Sequence, residues 1–245
     1  MATPESNTAL GIITDAVYAA GYTQSGQTPD SQVLSDCFRR LVDLINLWQT
    51  QGLKLFLLQD IAVQLYEGQQ LYVFGPSGPD VIMPKPLRAL QGYVLVSQDG
   101  CCDDNGIRRP IYPISWEEWM RLPQVCGNNG TVTSFFVDKQ PYVLNIHFWN
   151  APDATEANNT AHLLMQTQAS LPVNLEDPSG FPQEWRLALV WGLADEIAGG
   201  QPQAIMDRCE RRAKQYREAL EDFDVEDAPT MFAVDTRYSM GSGFR

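Results

Sequence analysis

The sequence predicts an α+β fold. A helical bundle core is drawn from both chain ends, with an inserted, mostly antiparallel β-domain and an extended C-terminal arm. Three observations carry this expectation. Apolar residues recur at helical spacing before about residue 53 and again from about residue 182. Between these segments the apolar period shifts to two. After residue 223 the periodicity stops altogether. The expected divisions are an N-terminal helical hairpin over 1–53, a β-domain over 54–170, C-terminal helices over 171–223 and an arm over 224–245.

Each element has a local reason. Leu10, Ile13, Val17 and Ala20 repeat at helical spacing, and Gly21 follows as a residue able to take positive φ. Thr28 is the expected N-cap of a second helix, with Pro29 in its first position. Leu34, Cys37, Phe38, Leu41, Ile45 and Trp48 then form one apolar stripe, and Gly52 ends it. The short gap between the two helices predicts an antiparallel hairpin.

Ile61, Val63 and Leu65 alternate with Ala62, Gln64 and Tyr66, as in a half-buried strand. Further strands are expected at Leu71–Phe74, Leu90–Ser97, Tyr142–Trp149 and Ala161–Gln168. The prolines at 84, 86, 110, 113, 123, 141 and 152 are expected to confine their segments to edges and turns. Ser115-Trp116-Glu117-Glu118 is a capping box and predicts a short helix.

Helices return near Pro182, expected at a first helical position with Glu184 in the first turn. Trp185 to Ile197 is apolar nearly all round, as in a buried helix. Gly199-Gly200 ends it. Ile205, Cys209, Ala213, Tyr216, Leu220 and Phe223 form the stripe of a last helix. Its other face carries Arg208, Arg211, Arg212, Lys214 and Arg217.

Composition bounds the function. The 245 residues carry a formal net charge of −13, from 17 basic and 30 acidic side chains. That sign argues against a protein that grips duplex DNA through a basic face. Hydrophobic residues at 44% fit an ordinary globular chain and exclude a disordered one. The first residues have neither a basic region nor an apolar core, so no signal peptide is expected. The most apolar stretch, Leu53 to Val63, is broken by Lys54, Gln59 and Asp60, far short of the roughly 20 residues of a membrane span. Five cysteines (37, 101, 102, 126, 209) are an odd count without CxxC spacing, so reduced thiols are expected and zinc is not.

No catalytic or metal site and no cofactor is expected. GxxxxGK[ST], GxGxxG, GxSxG and HExxH are all absent. The two histidines, His147 and His162, fall in strand patterns and read as sheet residues. Asp99, Asp103, Asp104 and Asn105 do not follow calcium-loop order and read as a solvated hairpin. Glu117 and Glu118 are adjacent on a helix and point about 100° apart, so they do not flank one bond. Arg208, Arg211 and Arg212 are candidates for an inter-subunit or phosphate contact, although Asp207, Glu210 and Glu218 lie among them. Glu221 to Asp227 holds five acids and no base. Beyond it Met231, Phe232, Tyr238, Met240 and Phe244 are scattered among small residues, a pattern that orders only against a partner.

The order of several short motifs resembles one family. An N-terminal helix is followed by Gly26-x-x-Pro29 and a helix ending in Leu44-Ile45-Asn46-Leu47-Trp48. Then come Tyr112-Pro113-Ile114-Ser115, Trp116 to Met120, Phe135 to Asp138, Asn150-Ala151-Pro152, Leu171-Pro172 and the helix Glu184 to Ala194. Over roughly residues 8 to 223 this resembles the head-to-tail adaptors of short-tailed, podovirus-type phages, also called packaged-DNA stabilisation or tail accessory factors. The long stretch around Cys101-Cys102 departs from the many relatives whose β-domain is small. The resemblance implies a structural virion protein that assembles in the host cytoplasm. It would form a ring, typically of twelve copies, below the portal protein. The ring extends the DNA channel, with genomic DNA passing unheld, and carries tail nozzle or fibre proteins. The family's C-terminal arm grips the portal, which assigns Met231, Phe232, Tyr238 and Phe244 here as anchors.

Two rival readings remain. One is a tail-associated cell-wall hydrolase using Glu117 or Glu184. The other is a receptor- or glycan-binding module, for which Trp116 and Trp119 are the suspects, though their spacing also suits a core.

Overall fold

A computed structural model of the chain describes residues 7–24, 26–52, 55–96, 106–122 and 128–223. In chain order these form α1 (Ala9–Ala19), α2 (Ser31–Thr50), β1 (Leu58–Gln64), β2 (Leu71–Gly75), β3 (Val81–Ile82), β4 (Arg88–Val96) and β5 (Ile107–Ile114). Then follow α3 (Trp116–Arg121), β6 (Asn129–Gly130), β7 (Ser134–Lys139), β8 (Leu144–Trp149), β9 (Ala151–Pro152), β10 (Thr160–Gln166), α4 (Arg186–Ile197) and α5 (Gln203–Phe223). The expected arm, residues 224–245, lies outside the described residues, as do Cys101, Cys102, Cys126 and most of the Asp99–Gly106 loop.

The fold class differs from the expectation. A helical bundle was to be the core, with the β-domain as an insertion. The dominant element is instead a nearly closed, barrel-like sheet of eight strands, in the order β1-β10-β4-β5-β7-β8-β2-β3. Its pairings are antiparallel apart from β5–β7 and β2–β3. The inside is solid. Tyr72 and Phe74 of β2, Val94 of β4, Ile111 of β5, Phe135 of β7, Ile146 and Phe148 of β8 and Leu163 of β10 meet in one core and are almost wholly shielded from solvent. Period-two alternation places each of these residues inward.

The expectation undercounted strands, and β5 among those missed hides its signal. β5 contains Pro110 and Pro113, which were expected to mark edges and turns. Yet β5 lies within the sheet, between β4 and β7. It tolerates the prolines by changing partners midway. Ile107 to Ile111 pair with β4, and Tyr112 to Ile114 pair with β7. Each half of β5 therefore has only one paired side in its ladder, and a proline needs one side on which no N–H is required.

The helices form a second layer with its own core. α1 is capped by Thr8, whose hydroxyl accepts from the Gly11 N–H at 3.2 Å, and ends on Gly21 at φ 77°. α2 begins two residues later than expected. Asp30, not Thr28, is its N-cap, with the carboxylate accepting from the Ser31 N–H at 2.8 Å, and Pro29 stays outside. A carboxylate gains more than a hydroxyl from the positive end of the helix dipole, which favours the later start. Pro182 likewise precedes a 3-10 turn at Gln183–Trp185 instead of opening α4. Ile13, Val17, Leu41, Ile45, Leu189 and Leu193 interlock between α1, α2 and α4. α5 contributes one fully buried side chain, Cys209, and rests Ile205, Tyr216 and Leu220 on that core.

The two layers meet at a buried amide. The Gln166 side chain, at the end of β10, donates from Nε2 to the Gln49 carbonyl at 2.9 Å. The Gln49 side-chain oxygen accepts from the Ala169 N–H at 2.8 Å. Beside them Thr167 donates to the Leu57 carbonyl from both its N–H (2.8 Å) and its hydroxyl (3.0 Å). Phe56, Phe181 and Trp185 pack edge to face or tilted over this seam. Gln49→Ala leaves the buried Ala169 N–H unpaired. We expect it to lower unfolding stability by about 1–3 kcal/mol, read as a lower urea midpoint, with Gln32→Ala on the exposed face of α2 near neutral.

Candidate functional site

Two of the three candidate arginines of α5 have partners within the chain. Arg208 donates to the Ala19 carbonyl at 2.6 Å and lies 6.0 Å from the centre of the Trp191 ring. Arg212 lies over Tyr216 at 5.9 Å and donates to its hydroxyl at 3.3 Å. Arg208 therefore fastens α5 to its surroundings, whereas the contacts of Arg212 stay within α5. Arg211 alone of the three has no hydrogen bond or ion pair among the described residues. Met231, Phe232, Tyr238 and Phe244 lie outside the described residues.

The same helix borders a groove. α2, α4 and α5 enclose a cleft of about 450 Å³, floored by Leu44, Leu47, Trp48 and Ala213. Gly192 of α4 lets the walls approach, since a Cβ there would meet the Trp48 ring at 2.8 Å. Two rim cations are neutralised on α5 itself, Lys214 by Glu218 at 3.9 Å and Arg217 by Glu221 at 2.9 Å. Asp195, Glu196 and Glu210 remain on the rim without an ion pair among the described residues. Burial, then the neighbouring Glu210 and Glu196 charges, pushes the Asp195 carboxyl above its ordinary range. The cleft is thus apolar below and acidic above. The periodicity of α5 shows a charged face but not what faces it, so these residues escape sequence reasoning.

α3 is the third feature. Its capping box forms as expected: Ser115 accepts from the Glu118 N–H at 3.2 Å, and Glu118 accepts from the Ser115 N–H at 2.7 Å. These bonds hold the Glu118 carboxyl below its usual range. Glu117 is ion-paired with Arg121. Glu184 is exposed in the turn before α4, a different element. The suggestion that Trp116 and Trp119 serve as core needs correction, because no residue of α3 is buried. Trp119 stacks on Phe136 at 5.4 Å, and Trp116 meets the same ring edge-on at 4.9 Å while staying 61% exposed. Tyr112 and Met120 are also exposed.

Apolar exposure recurs at the tip formed by β3 and the β7–β8 turn. Ile82 and Tyr142 are each 81% exposed. Both lie beside Gly75: Ile82 pairs with it in the ladder, and a Cβ on Gly75 would approach the Tyr142 carbonyl at 3.1 Å.

The histidines sit in the sheet. His162 of β10 holds Asp60 through Nδ1 at 3.1 Å and stacks on Tyr93 at 4.7 Å, and the Tyr93 hydroxyl donates to the same carboxylate at 3.1 Å. His147 of β8 is half-buried against Trp119 and Phe136. Among the described residues no group of three or more His, Cys, Asp or Glu is placed to hold a metal ion. Cys37 and Cys209 are buried free thiols, and burial pushes both upward in pKa. No protein-family model matches the chain, and no curated protein sequence matches it.

Burial depresses the His147 pKa below its ordinary 6.5, against a smaller upward pull from Asp138. The unfolded chain therefore binds a proton there more readily than the folded one. Stability from this group is present above pH 6.5 and is lost as pH falls from there through the folded pKa. Urea midpoints measured above and below pH 6.5 are expected to differ less in His147→Gln than in the natural sequence.

Proposed function

We propose that this chain is a structural head-to-tail connector of a short-tailed phage. Copies associate head to tail into a closed ring, typically of twelve, that docks below the portal, extends the DNA channel and offers a platform for nozzle or fibre proteins. The single observation that carries the reading is the exposed apolar surface at separate places on a well-packed chain. Ile82 and Tyr142 lie at the sheet tip, Val173 in the connection to the helices and Phe223 at the end of α5, each at least 73% exposed. Singly exposed apolar residues are ordinary, whereas contiguous exposed apolar patches mark contact surfaces, and Ile82 and Tyr142 lie together beside Gly75. Heterologous contacts between such surfaces close into a ring when the rotation permits.

Charge supports the same reading. A duplex carries one negative charge per about 1.7 Å, so a wall built from chains of net charge −13 repels it and lets it slide. The order of motifs that resembles the adaptor family adds the portal as partner and residues 224–245 as the arm. A second reading, glycan binding, has one observation in its favour: Trp116 offers an exposed ring face on a supported aromatic stack. Loss of glycan binding in Trp116→Ala would favour that reading.

Negative-stain imaging of the chain mixed with the portal is expected to show a ring with an opening wide enough for duplex DNA. Truncation after Asp227 is expected to leave a folded chain that no longer binds portal. Undiminished portal binding by the truncated chain overturns the assignment of the arm.

A further inference from the structure

We infer that the groove between α2, α4 and α5 is a docking site for this chain's own residues 236–245, held in cis when the chain is alone. The groove needs an occupant that is apolar on one side and cationic on the other. Its floor of Leu44, Leu47 and Trp48 is hydrophobic, and Leu47 is half exposed. Its rim carries Asp195, Glu196 and Glu210 without an ion pair among the described residues, while the rim cations Lys214 and Arg217 are paired with Glu218 and Glu221, so the lining keeps an excess of acids. A second, smaller recess continues it past Leu47 toward Arg40 and Asp43, so an extended segment has room to lie along it.

The chain supplies a segment of that chemistry. Residues 236–245 read Thr-Arg-Tyr-Ser-Met-Gly-Ser-Gly-Phe-Arg, with two arginines, no acid, and Tyr238, Met240 and Phe244 as apolar anchors. The preceding stretch is unlike it. Asp224, Glu226, Asp227 and Asp235 are repelled by the rim and act as a spacer. Reach permits the return. α5 ends at Phe223, two residues past Glu221 on the groove wall. Extended chain spans at most about 3.3–3.6 Å per residue, so the spacer covers on the order of 40 Å. The groove wall from Glu210 to Glu221 is only about 17 Å of helix. The inference concerns the isolated chain and does not rest on the ring reading.

The test uses the full chain with Leu47 replaced by p-benzoylphenylalanine, irradiated without any partner. The expected product is a cross-link within one chain to residues 238–244. Its yield is independent of protein concentration and falls when Glu196→Lys and Glu210→Lys are added. A cross-link between chains that rises with concentration overturns cis docking and makes a second copy the occupant. No cross-link to 236–245 overturns the inference altogether. A second measurement uses a labelled peptide of residues 236–245. It is expected to bind a chain truncated after Asp235, which keeps every described element, about tenfold more tightly than the full chain, where the tethered segment competes at millimolar effective concentration. Equal affinity for the two chains overturns the inference.

Discussion

Two cores that share no side chain are held to one geometry by a buried amide. Gln49 closes α2, and Gln166 closes β10, the strand that pairs with both β1 and β4. The Gln166 side-chain nitrogen and the Gln49 side-chain oxygen are both paired here, and leaving either unpaired costs more than the bond itself returns. Gln49 uses its side-chain oxygen on the backbone leaving the sheet and its carbonyl on the strand. Neither layer can shift along the other without opening both bonds. The aromatic seam of Phe56, Phe181 and Trp185 adds area at this junction, and the amide adds register. This contact, with the bond from Arg88 of β4 to the Thr50 carbonyl at 3.1 Å, orients what the helices present, including the acidic cleft, on the sheet.

Much of the local structure was legible because it depends on near neighbours. The stripe from Cys37 to Trp48, the capping box at Ser115, the positive-φ glycine after α1 and the alternation at Ile61, Val63 and Leu65 are all decided within a few residues. The start of α2 was not, because Thr28 and Asp30 are both competent caps and only the dipole separates them. β5 was not, because Pro110 and Pro113 argue against an interior strand until its change of partner is known. That change is a property of β4 and β7 as much as of β5, so no window along the chain contains it. The resulting undercount of strands is what made the helices look like the principal core.

The candidate site was less legible than the fold. Arg208 and Arg212 belong to a charged face, but Ala19 and the Trp191 and Tyr216 rings absorb them. The acids on the rim of the cleft, Asp195, Glu196 and Glu210, come from two helices, and the apolar floor mostly from α2. Only the packing of all three reveals one surface. Trp116 was assigned inward by its spacing from Trp119 on one helix face, yet a six-residue helix lying on a finished sheet has no interior of its own to offer.

The filled interior of the sheet has a consequence for scale. An eight-stranded barrel has room only for its own side chains or one small ligand. Here Tyr72, Phe74, Phe135 and Phe148 occupy that space. Among the described residues these side chains leave no conduit for a polymer through the sheet. If copies ring a passage, as proposed above, their outward faces wall it, and its width is set by how many stand around it and at what angle.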